Sequence, residues 1–231
     1  MTVSGAHANP ARPALLLART LIALGLVLTA IHVWFHLTWI GMHGTHDALL
    51  LWTDLRWDLG PFSWVSWVAL ASVGVVAWHA GTGRSRREWW GFKLTGGLFM
   101  YLALDDAFTV HEHVGALAEA AWPELRVYGW IILMLPVFAV VGLLSFAFLA
   151  RACWHDPARR RLLLAGFGCM GLAVLLETVE PQLYRSGLRY RGFLLTDYQQ
   201  TLEELLELIG PAVLLCCVAR LRAARGVTTR S

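Results

Sequence analysis

Long apolar stretches alternate with short polar ones along most of the chain. Several of these stretches approach the ~20 residues that a helix needs to cross a hydrocarbon core of ~30 Å. Six are predicted as transmembrane helices, at about residues 14–40, 62–80, 94–120, 127–150, 162–180 and 198–218. Segment 42–60 is more polar and is predicted to lie at the membrane–water interface on the outer face of the bundle. The pattern therefore predicts an all-α integral membrane protein, a six-transmembrane-helix bundle forming one domain over residues 1–231.

The composition indicates the same class of protein. Hydrophobic residues make up 57% of the chain and charged residues 15%, whereas soluble domains average about 25% charged residues. The formal net charge of +3 comes from the loops between the predicted spans. It gives no indication of nucleic-acid binding.

Basic residues predict the orientation of the bundle. Four regions hold 14 of the 19 Lys and Arg residues: the N-terminus, the loops 81–93 and 151–161, and the C-terminal tail. By the positive-inside rule these regions are cytoplasmic, and they alternate as six spans require. We therefore predict a multi-pass protein of the inner (cytoplasmic) membrane with both termini in the cytoplasm.

Acidic residues are distributed the other way. Of the 16 Asp and Glu residues, only Glu88 and Asp156 lie in the predicted cytoplasmic loops. Eight of the others belong to three polar clusters: Asp105-Asp106 with His111-Glu112-His113, Glu177 with Glu180, and Glu203-Glu204 with Glu207. All three are predicted at one depth, near the outer (periplasmic) face. An ionisable residue inside a membrane is a functional-site hypothesis by default.

Three explanations of these clusters remain open. Carboxylates packed closely cannot all be ionised unless a cation lies between them. The cation could be a metal ion, a proton on an ion pathway, or an arginine of a buried ion-pair network. Candidate arginines are Arg56, Arg126, Arg185, Arg189 and Arg191. A ligand set of imidazole and carboxylate suits a divalent metal such as zinc, iron or manganese.

Helical spacing selects the candidate residues. Positions three, four and seven apart share a helix face, which predicts one continuous stripe through Asp105 to His113 and a second through Asp197, Gln200, Glu204 and Glu207. Glu203 is expected beside the second stripe. The predicted metal ligands are Asp105, Asp106, His111, Glu112, His113, Glu177, Glu180, Glu204, Glu207, His32 and His36. Glu112, Glu180 and Glu204 are the predicted catalytic residues.

One motif resembles a known signature. The run Leu104-Asp105-Asp106, followed after four residues by His111-Glu112, resembles the Leu-Asp-(Glu/Asp)-x4-His-Glu signature of uncharacterised bacterial multi-span membrane proteins. Asp106 stands where those proteins usually have Glu. The resemblance implies that these positions form the site, and it implies no particular activity.

The sequence thus predicts a metal-dependent membrane enzyme with a site near the outer face. Its substrate is expected to be lipid-like or a hydrophobic small molecule, converted by hydrolysis or oxidation, with membrane lipid as the surrounding partner. The alternatives are a metal- or proton-coupled transporter or metal-handling protein, and a structural subunit whose polar network packs helices. The inner halves of the predicted spans contain almost no ionisable residues, which favours a site over a conduit.

Overall fold

The chain folds into helices, as predicted. The computed structural model describes residues 11–38, 60–125, 129–190 and 193–228. Eight helices lie in these ranges: α1 Arg12–Thr38, α2 Pro61–Ala80, α3 Arg86–Phe108, α4 Val110–Ala121, α5 Gly129–Leu133, α6 Leu135–Cys153, α7 Pro157–Ser186 and α8 Leu195–Thr228. Two short antiparallel strands, β1 Arg189–Tyr190 and β2 Phe193–Leu194, connect α7 to α8. The predicted interfacial segment 42–60 lies outside the described residues except for Gly60.

Four of these helices are long and apolar enough to cross a membrane. They are α1 over Arg12–Phe35, α2, α6 and α7. Large apolar side chains on α6 are exposed, with Leu143 at 66% and Val137 at 59%. A helix that is apolar all round is typical of a membrane segment or a buried core. These helices support the assignment of the chain to membrane proteins.

Two predicted spans are interrupted. The span predicted over 94–120 is divided between α3 and α4 at Thr109, which adopts left-handed backbone angles of φ 46° and ψ 44°. The prediction of one continuous helical stripe through Asp105 and His113 was therefore wrong, because the two residues belong to different helices. The span predicted over 127–150 is divided between α5 and α6 close to Pro136, which cannot donate a backbone hydrogen bond.

Small residues bring the long helices close together. A Cβ atom on Gly166 of α7 would lie 3.0 Å from the carbonyl oxygen of Gly210 in α8, and the reverse distance is also 3.0 Å. A Cβ on Gly96 of α3 would lie 3.0 Å from the carbonyl oxygen of Gly74 in α2. Such contacts are typical of membrane helices, where close backbone approach replaces the hydrophobic driving force. The contact between α7 and α8 places the acidic segments of both helices side by side.

The apolar core lies toward the other end of the bundle. Phe92, Phe99, Leu163, Leu214 and Val218 are fully buried in one cluster contributed by α3, α7 and α8 together with α2 and α6. This cluster is close in sequence to the basic loops. The acidic residues of α3, α7 and α8 therefore lie away from the main core, at the opposite ends of their helices.

Candidate functional site

A cavity of about 730 Å³ lies between α3, α4, α6, α7 and α8. All three polar clusters contribute to its lining. The polar lining residues are Asp105, Asp106, Thr109, His111, Glu112, Glu177, Glu180, Gln200, Glu203, Glu204 and Glu207. The structure thus brings together, around one cavity, acidic residues that are up to about a hundred positions apart in the sequence.

The break at Thr109 positions the histidine of the site. In its left-handed conformation the Thr109 backbone N–H donates to the Asp105 carbonyl and ends α3. The carboxylate of Asp105, a residue that is 6% exposed, then accepts two hydrogen bonds from the first turn of α4. One comes from the His111 backbone N–H at 2.9 Å and the other from the His111 ring Nδ1 at 2.9 Å. Asp105 therefore caps α4 from the preceding helix and orients the imidazole.

An aromatic side chain also packs against the His111 ring. The His111 ring packs edge-on against Trp130 of α5, with ring centroids 5.1 Å apart. This contact depends on a close approach of α4 and α5, because a Cβ on Gly115 would lie 3.2 Å from the Trp130 Cβ. A Cβ on Gly129 would lie 2.6 Å from the Gly115 carbonyl oxygen. The imidazole is thus fixed by one hydrogen-bonded carboxylate and one aromatic face.

The free edge of the imidazole faces α7. Its Nε2 lies 3.5 Å from Glu177 Oε1. Because Asp105 holds the ring proton on Nδ1, a neutral His111 would present a bare lone pair to a carboxylate oxygen. Two acceptors in that arrangement repel each other, so the geometry is favourable only when a proton or another cation lies between them. Metal-binding histidines are commonly oriented in this way by a carboxylate on their other nitrogen.

Three carboxylates of α7 and α8 approach one another closely. Oxygen atoms of Glu177, Glu203 and Glu207 lie within 4.8 Å of one another. Nearby amides bind one acid of this trio and one acid beside it: Gln199 donates to Glu203, and Gln200 donates to Glu180. Among the described residues, no lysine or arginine lines the cavity. The trio has the residue types and spacing to hold one cation, with His111 as a neighbouring nitrogen.

Two of the predicted histidines do not join this lining, and a third is not described. The exposed ring of His113 donates from Nδ1 to the Thr109 carbonyl at 2.8 Å, and the residue lies outside the cavity. His32 is buried against α8, with its Nε2 3.3 Å from Thr201 Oγ1, and it does not line the cavity either. The side chain of His36 lies outside the described residues. Within the described residues, His111 is therefore the imidazole of this cavity.

The structure adds residues that the ligand prediction omitted. Glu203 belongs to the closest carboxylate trio, although the spacing argument placed it beside the stripe. Its position four residues before Glu207 on one helix was the available signal. Thr109 and Trp130 also contribute, through backbone conformation and packing, and neither role has a periodic sequence signal.

Comparisons with known proteins identify a family for the chain. No curated protein and no solved structure matches it. One family model, described as Domain of unknown function (DUF8692), matches residues 20–221. That range includes every residue that lines the cavity. The Leu-Asp-(Glu/Asp)-x4-His-Glu signature as a mark of the family stays a prediction. Because the match extends over most of its length, the chain belongs to the DUF8692 family.

Proposed function

We propose that this protein is a metal-dependent membrane enzyme that hydrolyses a lipid-like substrate near the outer face of the inner membrane. One observation carries the proposal. Oxygen atoms of Glu177, Glu203 and Glu207 lie within 4.8 Å of one another, and Glu177 Oε1 lies 3.5 Å from the Nε2 of an imidazole whose Nδ1 is held by a buried aspartate. This combination supports a divalent cation at their centre, because it relieves the repulsion between the carboxylates and uses the free Nε2.

The ligand types favour particular metals. Three carboxylates and one imidazole suit manganese or iron, and zinc accepts the same donors with fewer oxygens. A divalent metal there would supply a Lewis acid that polarises a substrate oxygen and lowers the pKa of a bound water. Asp105 would act through His111, as the residue that fixes its orientation.

The remaining acids supply a base for the reaction. Glu180 and Glu204 line the same cavity but lie outside the closest trio. A carboxylate within hydrogen-bond reach of a water molecule can accept its proton during hydrolysis. Glu112 lines the cavity from α4 and is the third candidate for this role. The assignment of the base to Glu180 or Glu204 follows from their place next to the ligands.

The topology completes the proposal. We propose six spans, with α3 and α8 crossing the membrane beside α1, α2, α6 and α7, and with both termini in the cytoplasm. The support is the alternation of the basic loops and the packing of α8 against α1, α2 and α7. A C-terminal fusion to alkaline phosphatase, which is active only in the periplasm, is expected to be inactive. Strong activity of that fusion would reverse the topology and move the site to the cytoplasmic face.

Metal analysis tests the site, with a matched control residue on the same helix as His111. Protein purified in an uncharged detergent is expected to contain manganese, iron or zinc close to one ion per chain by elemental analysis. His111→Ala is expected to remove most of the metal. His113→Ala changes the same residue type two positions away, outside the cavity, and is expected to retain it. Native protein without metal, whose thermal unfolding is unaffected by added metal ions, would contradict the proposal and favour an ion-pair network.

Activity is tested on the mixture of lipids that surrounds the protein. Membrane lipid extract incubated with metal-loaded protein is expected to yield a new hydrolysis product by lipid mass spectrometry. Removal of the metal with a chelator is expected to abolish the product, and Glu204→Gln together with Glu180→Gln is expected to reduce it at unchanged metal content. Product formation that persists in both conditions would contradict a metal-dependent reaction at this site.

A further inference from the structure

The cavity has two chemically different ends. Its acids lie at one end, and from there it continues between α3, α6 and α7 with an apolar lining that includes Leu98, Leu102, Phe138, Leu143, Met170 and Val174. We call this second part the apolar arm. An aromatic group belongs to the same lining, in which Phe167 packs edge-on against Phe146 with ring centroids 5.3 Å apart and against Phe99 at 6.4 Å. A cavity with this division fits an amphiphile.

The length of the apolar arm matches a hydrocarbon chain. Its lining on α6 extends from Leu135 to Phe146. At a rise of 1.5 Å per residue these eleven steps cover roughly 17 Å. One leaflet of a ~30 Å hydrocarbon core measures about 15 Å. The apolar arm is thus long enough to hold one lipid chain across a leaflet.

Two glycines keep the apolar arm open. Gly142 of α6 and Gly171 of α7 line the cavity, and a Cβ atom built on either would meet no atom within 4 Å. Unlike Gly166, which contacts α8, neither glycine is needed for close helix packing. Glycine inside a helix costs about 1 kcal/mol relative to alanine. Their effect in this structure is to leave space in the apolar arm that side chains would otherwise fill.

The acidic end restricts the head group. Eight carboxylates and one imidazole line the cavity, and no lysine or arginine of the described residues does so. One divalent metal would neutralise only part of this charge. A phosphate or carboxylate head would meet like charges, and such juxtapositions cost several kcal/mol. A positively charged head is complementary to the carboxylates that do not bind the metal.

We propose that the cavity binds a single-chain amphiphile with a protonated amine head, with its hydrocarbon chain in the apolar arm and its amine among the carboxylates. This inference rests on the proposed function, because it names the substrate class of the same site. The glycines at 142 and 171 determine whether the chain enters. The acids of the three clusters determine which head group is accepted.

Native mass spectrometry of the full-length protein in a sugar-headed detergent tests the inference. The probes are dodecylamine, dodecyl phosphate and dodecanol, which share one chain and differ in head charge. Dodecylamine is expected to bind at one molecule per protein and at least roughly tenfold more tightly than dodecyl phosphate, since like charges oppose the latter. Equal or tighter binding of dodecyl phosphate would overturn the assignment of the head group.

Variants of three open glycines test the apolar arm. Gly142→Phe and Gly171→Phe fill it and are expected to reduce dodecylamine binding by about tenfold or more, since a buried ligand surface is lost. Gly168→Phe is the control, because a Cβ built on Gly168 would also meet no atom within 4 Å, but Gly168 does not line the cavity. It is expected to bind as the native protein does. Binding that is unchanged in both filled variants, or lost equally in the control, would overturn the inference.

Metal content separates this inference from the proposed function. Gly142→Phe is expected to retain the metal of the native protein, since the substitution lies away from Glu177, Glu203 and Glu207. Normal metal content with no selective amine binding would contradict the amphiphile alone. Selective amine binding in a protein that holds no metal would contradict the enzyme proposal and leave the amphiphile site supported.

Discussion

The Asp105–His111 pair offers the sharpest perturbation of the site. Asp105→Asn preserves the shape of the side chain, and its amide oxygen can still accept the His111 backbone N–H that now lies 2.9 Å from Oδ1. Its amide nitrogen, however, would donate where Oδ2 now accepts from the His111 ring. The ring proton would then move to Nε2, the nitrogen that faces Glu177. The substitution therefore keeps the helix cap and withdraws the Nε2 lone pair that the proposed metal would use.

The expected losses of metal affinity and of unfolding free energy follow from these contacts. Loss of the carboxylate partner of a metal-binding histidine typically weakens metal affinity about 10- to 100-fold, which corresponds to about 1.4–2.8 kcal/mol. The loss of metal affinity in Asp105→Asn is expected in this range, with a loss of unfolding free energy of ~1 kcal/mol for one exchanged hydrogen bond. Asp105→Ala removes both hydrogen bonds and the cap of α4, so its unfolding free energy is expected to fall by about 2–4 kcal/mol.

Manganese titration followed by electron paramagnetic resonance of the free ion measures the affinity in detergent. Thermal unfolding of the same samples measures stability. Asp156→Asn is a matched control, because Asp156 caps α7 by accepting from the backbone of Ala158 and Arg159 and does not line the cavity. An Asp105→Asn protein that binds manganese with native affinity would refute the role of Asp105 in orienting His111.

Two further predictions concern the scaffold. Gly210→Ala is expected to lower the unfolding free energy by about 1–3 kcal/mol, as overpacking typically does. The new Cβ would lie 2.7 Å from Met170 Cγ and 3.0 Å from the Gly166 carbonyl oxygen. Gly97→Ala is the control: its Cβ would meet no atom within 4 Å, and it is expected to leave the midpoint of thermal unfolding unchanged or raise it. The hydrogen bond from the Arg159 backbone holds the pKa of Asp156 below its ordinary value of 3.8. The ionised Asp156 carboxylate therefore contributes to stability above pH 3.8, and this contribution is lost as the pH falls through the lower folded-state pKa. Thermal unfolding of Asp156→Asn is expected to lack this acid-dependent loss of stability.

The sequence predicted some elements closely because their signals are local. Helix α2 begins one residue before its predicted start and ends at the predicted residue, since Gly60-Pro61 and Gly81 bound an apolar run. The break at Thr109 could not be predicted in this way. Threonine has no special preference for left-handed backbone angles, and a non-glycine residue with positive φ is uncommon. The conformation is accompanied by the capping of α4 by Asp105, a contact that spacing alone does not reveal.

The site, too, could be predicted only in part from the sequence. The three acidic clusters were predicted at one depth, and the structure places all three around one cavity. Which side chains approach most closely depended on how α7 and α8 pack through Gly166 and Gly210. The position of His32 against Thr201 likewise depends on the packing of α1 on α8. Periodicity identifies a helix face, but it does not identify the neighbour of that face.

Direct measurement of bound manganese tests whether Glu177, Glu203 and Glu207 hold one cation. Purified protein stripped of metal is titrated with manganese, and the bound ion is counted by electron paramagnetic resonance in the native protein and in the variant carrying Glu177→Gln, Glu203→Gln and Glu207→Gln. Circular dichroism confirms that both remain helical. We expect one tightly bound ion per native chain and none in the variant. Native protein that binds no manganese, or a variant that binds the ion as the native protein does, would contradict this role of the three carboxylates.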